Sequence, residues 1–131
     1  HSHVAKMQRE RGDLAAAEAS LAAAVVVLQG AVRRDPDNAV DLNNLAACHT
    51  DLGHVRRKRG DLAGAEASYG AALAIAERLS ARDPGNAVNL DQLAGCYHNL
   101  RLVQGEQGNL VGAQATLKLL RAVESRQDSL E

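Results

Sequence analysis

At 131 residues the chain is one domain or a piece of a larger protein, and its 46% apolar fraction excludes a disordered chain. A formal net charge of −1 gives no pull toward nucleic acid or an acidic membrane, and two Tyr with no Phe or Trp offer no platform for stacked bases. No apolar run approaches the roughly 20 residues of a spanning helix, and the longest, Leu21–Leu28, reads as one helix face.

The chain repeats itself. Residues 11–20 read RGDLAAAEAS, residues 59–68 RGDLAGAEAS and residues 107–116 QGNLVGAQAT. Gly12, Gly60 and Gly108 are separated by one step of 48 residues (60 − 12 and 108 − 60). DPDNAVDLNNLAAC from Asp35 returns with the same step as DPGNAVNLDQLAGC from Asp83. A fixed period of this size marks stacked repeats, whose product is an extended surface suited to binding. His1 and Ser2 align with His49 and Thr50, and Val4 with Leu52, so the chain is expected to be a longer protein's repeat array cut within a helix.

In chain order, the pattern predicts helices over roughly 1–11, 13–34, 38–59, 61–82, 86–107 and 109–129. Asp35-Pro36 stops a helix, because the residue before proline avoids helical geometry. Asn38 is an N-cap, with Asp41 on the positive end of the helix dipole. Val40, Leu42, Leu45, Ala46, His49, Leu52 and Val55 then recur at steps of three and four. Gly60 supplies the left-handed residue after the helix, and Asp61 caps the next one, as Asp13 and Asn109 are expected to do in the other copies. Leu62, Ala65, Ala72, Leu73, Ala76 and Leu79 carry the following helix. Alanines in register (17, 65 and 113; 24 and 72; 46 and 94) mark close helix approaches. Cys48 and Cys96 lie one period apart, too far for a disulfide, and read as reduced core residues in a cytoplasmic protein.

The residues Leu52-Gly53, Gly60-Asp61, Ala65, Tyr69, Ala72 and Pro84 resemble the tetratricopeptide repeat family over essentially the whole chain. That repeat is about 34 residues long, and the excess of about 14 here is roughly four helical turns. The chain is similar to the long repeats found in tandem in large bacterial proteins. It departs from the family by lacking most large aromatics, by Leu100-Arg101 in place of Leu-Gly, and by Arg121 in place of Leu73, which suits a capping helix. The resemblance implies an all-α, right-handed α-solenoid of about three antiparallel helix pairs, with units of about 1–36 (truncated), 37–84 and 85–131. It implies a concave groove lined by the first helix of each pair. The groove candidates are Lys6, Arg9, Asn43, Thr50, His54, Arg57, Lys58, Asp91, His98, Leu102 and Glu106.

Other motifs carry less. Arg11-Gly12-Asp13 and Arg59-Gly60-Asp61 spell the integrin-recognition tripeptide, but a helix end, its glycine and the next cap explain both copies. His1, His3, His49, His54 and His98 form no HExxH and no i, i+4 pair, so neither a metal site nor a cofactor is expected. No nucleotide loop or catalytic signature occurs, and no enzyme is expected. Arg56-Arg57-Lys58-Arg59 is the strongest charge feature, read equally as solvated helix-end charge or as a binding patch. The leading expectation is a module binding a protein or peptide in the groove, an acidic ligand end lying toward Lys6, Arg9, Arg57 and Lys58. The alternative is self-association, as a homodimer through exposed array ends. A metal-binding or enzymatic role comes third.

Overall fold

The computed structural model describes residues 2–130. His1 lies outside them, as do the side chains of Ser2 and His3, so the alignment of the chain start and two of the weighed histidines fall there. Five helices follow one another among the described residues: α1 Ser2–Arg34, α2 Ala39–Lys58, α3 Leu62–Arg82, α4 Ala87–Glu106 and α5 Leu110–Ser129. No strand occurs among them. Each helix packs chiefly on the next in sequence. The period survives in three dimensions, since α4 starts 48 residues after α2 and α5 48 after α3 (87 − 39 and 110 − 62).

The turns form as their residues dictate. Gly60 has φ +83° and Gly108 φ +77°, the left-handed region that a side chain resists. The Gly60 amide donates to Arg57 and the Asp61 amide to Arg56, both to carbonyl oxygens, which closes the C-terminus of α2 in a Schellman motif. The Asp61 side chain then accepts from the Gly64 amide at 2.9 Å, and Asn109 from Gly112 at 3.0 Å. A Cβ on Gly64 or Gly112 would meet that capping side chain, which would have to shift to keep the cap. The Asp-Pro loops end on Asn38 and Asn86, which accept from the amides of Asp41 and Asn89. Arg78 and Arg82 of α3 reach back to the first of these loops and donate to the Pro36 and Asp37 carbonyls.

The first copy of the turn does not form. α1 runs unbroken through Gly12 and Asp13, so the chain has no first helix pair and Asp13 caps nothing. The decapeptide itself changes little, with Ala16 where Gly64 and Gly112 stand. A fold-back of the preceding residues would bury little beyond Val4 and Met7, whereas a continued helix gains a hydrogen bond per residue. Opposite effects are therefore expected at two glycines in the same tripeptide. Gly60→Ala should cost about 1–2 kcal/mol, for strain at positive φ. Gly12→Ala should stabilise by about 0.5–1 kcal/mol, because it sits mid-helix with open space around it. Urea unfolding of the two variants checks this, and a destabilised Gly12→Ala would put the turn back into α1.

The core lies in three clusters. The largest joins Ala72 and Ala76 of α3, Leu90, Leu93, Cys96 and Tyr97 of α4, and Leu120 and Val123 of α5. A smaller one joins Val25 of α1 to Leu45 and Leu52 of α2, with Ile75 of α3 packed against it. The third holds Ala65, Tyr69 and Val103. Val40, placed on the buried face by its spacing, is exposed, because it sits in the first turn of α2 and points away from α1 and α3. Cys48 and Cys96 are unlinked, as their spacing requires. Burial, and then the nearby Glu77, push the Cys96 thiol up to about 11.

α1 also corrects the hydropathy reading. Its alanines and valines make it long and apolar enough, by composition, to cross a membrane, and little of that stretch is buried. Leu21, Val25, Leu28 and Val32 nevertheless pack on α2, so one side of α1 belongs to the protein core.

Candidate functional site: the groove between α2 and α4

The basic cluster at the end of α2 is mostly engaged within the fold. Arg56 donates to Ser68 Oγ at 2.9 Å and lies 3.5 Å from Glu18 of α1. Arg59 pairs with the same Glu18 at 2.9 Å. Arg57 pairs with Glu106 of α4, across one whole repeat. Lys58 alone of the four makes no ion pair among the described residues. The cluster therefore fastens α2 to α1, α3 and α4. The next unit copies part of it in neutral form, with Thr116 donating to Gln104 at 2.7 Å in the register of Ser68 and Arg56.

The groove candidates separate accordingly. Lys6 and Arg9 lie on the exposed first half of α1, and Lys58 lies beside Glu10, Asp13 and Leu14 of the same helix. His54 Nδ1 and the Tyr69 hydroxyl share a 2.6 Å hydrogen bond. The two rings meet edge to face at 5.4 Å. Burial raises the Tyr69 pKa, and so does Glu106, while Arg57 opposes them, which places these four side chains in one network. Asn43, Asp91 and His98 are exposed, and Leu102 is partly so.

Of the candidates, Thr50 lines the groove that the structure opens between α2 and α4. It is lined by Ala47, Thr50 and Asp51 of α2 and by Gln92, Gly95, Cys96 and Asn99 of α4, around a volume of about 290 Å³. Small side chains and hydrogen-bonding ones thus share its wall. Gln92, Gly95, Cys96 and Asn99 follow steps of three, one and three and so share one face of α4. Family positions alone pass over Asp51, Gln92 and Asn99. Two further hollows of similar volume flank His49 and Tyr97 on the side of α1, α3 and α5.

His49 carries a pH dependence. Burial, and then the Arg56 charge, hold its pKa below the usual 6.5. The unfolded chain then binds the proton first as pH falls. Stability is full above 6.5 and declines as pH drops toward the depressed folded value. The urea midpoint should fall between about pH 7.5 and about pH 5.5, and fall less in His49→Gln. Equal pH slopes in the two proteins would remove His49 as the cause.

Arg101 holds the place of Gly53 in the next unit, and its Nε is buried without a partner. Among the described residues no group of three or more His, Cys, Asp or Glu side chains is placed to hold a metal ion. Compared with known proteins, the chain matches no family model and no curated sequence.

Proposed function

We propose that the chain is a right-handed α-solenoid of antiparallel helix pairs, similar to tetratricopeptide repeats, and that it holds an extended peptide segment of a partner protein along the α2–α4 groove. The three-residue turns at Gly60 and Gly108 and the 48-residue step between like helices support the architecture. The observation that carries the binding reading is the groove itself, lined by the small residues Ala47, Gly95 and Cys96 together with Thr50, Gln92 and Asn99. Side-chain amides satisfy the backbone N–H and C=O of an extended strand without regard to its sequence. Charge has a smaller part than the basic cluster suggested. Arg57 and Glu106 neutralise each other, and Asp51 lines the groove, so Lys58 is left as the residue that favours an acidic ligand end.

A displayed peptide library, selected on the immobilised chain, tests this. Selected peptides should lose binding about tenfold or more on Gly95→Leu, which fills the groove. A Cβ at Gly95 meets nothing within 4 Å, so the fold tolerates the change. Gly105→Leu, on the same helix and equally unobstructed, is the control and should bind normally. Binding should change little between low and moderate salt. Recovery of no peptide, or equal binding by the Gly95 variant, would overturn the groove reading.

A further inference from the structure

α1, α3 and α5 come from the same repeat position, yet α1 shows water a different surface. Between Leu14 and Val32 its one charged residue is Glu18, and Glu18 faces α2, where Arg56 and Arg59 hold it. The repeat says what such a face is for. Ala17, Ala24, Val27 and Ala31 stand in the register of Ala65, Ala72, Ile75 and Leu79. Ala65, Ala72 and Leu79 are 0%, 1% and 4% exposed, and Ile75 packs against Leu45 and Leu52 of α2. On α1 the corresponding Ala17, Ala24 and Ala31 are half-buried, and Val27, in the register of Ile75, has no preceding helix to meet and is 69% exposed.

α5 is more polar than α3: Arg121, Glu124 and Asp128 replace Leu73, Ala76 and Ser80, and all three are exposed, although Leu119 is 51% exposed. Two α1 faces are therefore better matched to each other than α1 is to α5.

We propose that the chain pairs with a second copy of itself through this face, the two α1 helices antiparallel about a two-fold axis near Ala24. Residues 13, 17, 20, 24, 27, 31 and 34 advance by alternating steps of four and three, the seam of a two-helix coiled coil. Alanine at 17, 24 and 31 lets the backbones approach closely, and Val27 of each copy lies over Ser20 of the other. Asp13 begins the seam and Arg34 ends it, and neither makes an ion pair among the described residues. Antiparallel pairing centred near Ala24 puts Asp13 of each copy beside Arg34 of the other. A lipid surface is disfavoured as the occupant, because inserting α1 would strip Leu21, Val25 and Leu28 from α2 and desolvate Glu18. The pairing is independent of the α2–α4 groove.

Sedimentation equilibrium over a low-micromolar to millimolar range is the test. The chain should form a dimer, and Val27→Glu should weaken it about tenfold or more, by placing a carboxylate in the seam. Asp13→Arg and Arg34→Asp should each weaken the dimer, and together they should restore it, which fixes the antiparallel register. Glu124→Arg, on α5, should leave it unchanged. In a Cys48→Ser background, Ala24→Cys should oxidise to a disulfide-linked dimer and Val26→Cys should not. Far-UV ellipticity checks that each variant folds, including those at the half-buried Ala24 and Cys48. A monomer at every concentration overturns the proposal, as does a dimer indifferent to Val27→Glu or a double charge reversal that fails to restore it. Monomers that bind neutral phosphatidylcholine vesicles through Val27 would assign the face to lipid instead.

Discussion

Gly53→Ala will lower the stability of the fold by about 1–3 kcal/mol, toward the upper end of that range. A Cβ at this position falls 2.5 Å from Cε1 and 2.6 Å from Cδ1 of Tyr69. The ring cannot easily retreat. It is 2% exposed, packs with Ala65 and Val103, and is tied at its hydroxyl to His54. The second unit shows the remedy, for Arg101 stands at the place of Gly53, and Leu117 at the place of Tyr69. Tyr69→Leu will therefore recover part of the loss caused by Gly53→Ala. A double-mutant cycle from urea unfolding will show a coupling of about 1 kcal/mol or more. Strict additivity would mean that the glycine is not there to admit the ring.

Leu90→Ala will cost about 3–5 kcal/mol, and Leu42→Ala only about 2–3 kcal/mol. The two leucines are copies of each other, one period apart, and each is 1% exposed. Their surroundings differ. Leu90 sits in the largest cluster, held by three helices, where a cavity cannot close. Leu42 belongs to none of the three clusters and lies at the α1 end, which lacks an outer helix, so its neighbours can relax into the space. Hydrogen exchange should show the same inequality, slowest around Leu93 and Leu45 and fastest in the exposed first half of α1. Equal penalties at the two leucines would mean that stability is spread evenly along the repeats.

Much of the fold was legible from the sequence because its signals are local. The glycines at 60 and 108, the caps at Asn38, Asp61, Asn86 and Asn109, and the core periodicity each depend on a few neighbouring residues. The missing first turn is not written in that local pattern, because Gly12 and Asp13 match Gly60 and Asp61 and the difference lies in how little Val4 and Met7 could bury by folding back. The groove was less accessible. Arg57 and Glu106 are 49 residues apart, and their pairing depends on how α2 lies beside α4, which no helical wheel records. Thr50 was found because it faces the groove by register, whereas Gln92 and Asn99 needed the second helix in place.

The hold of Arg78 and Arg82 on the Pro36-Asp37 loop bears on how far disorder can spread. In a linear array each element supports only the next, and melting can stop at any joint. Here the end of α3 grips the loop before α2, so α1, the loop, α2 and α3 close into a ring of contacts. The next loop has Gly85 where Asp37 stands, and it offers no side chain for a matching grip. The first three helices are thereby tied to rise and fall as one cooperative block, and the last hairpin joins them through its apolar core, the Arg57–Glu106 pair and the Asn89 amide on the Leu79 carbonyl.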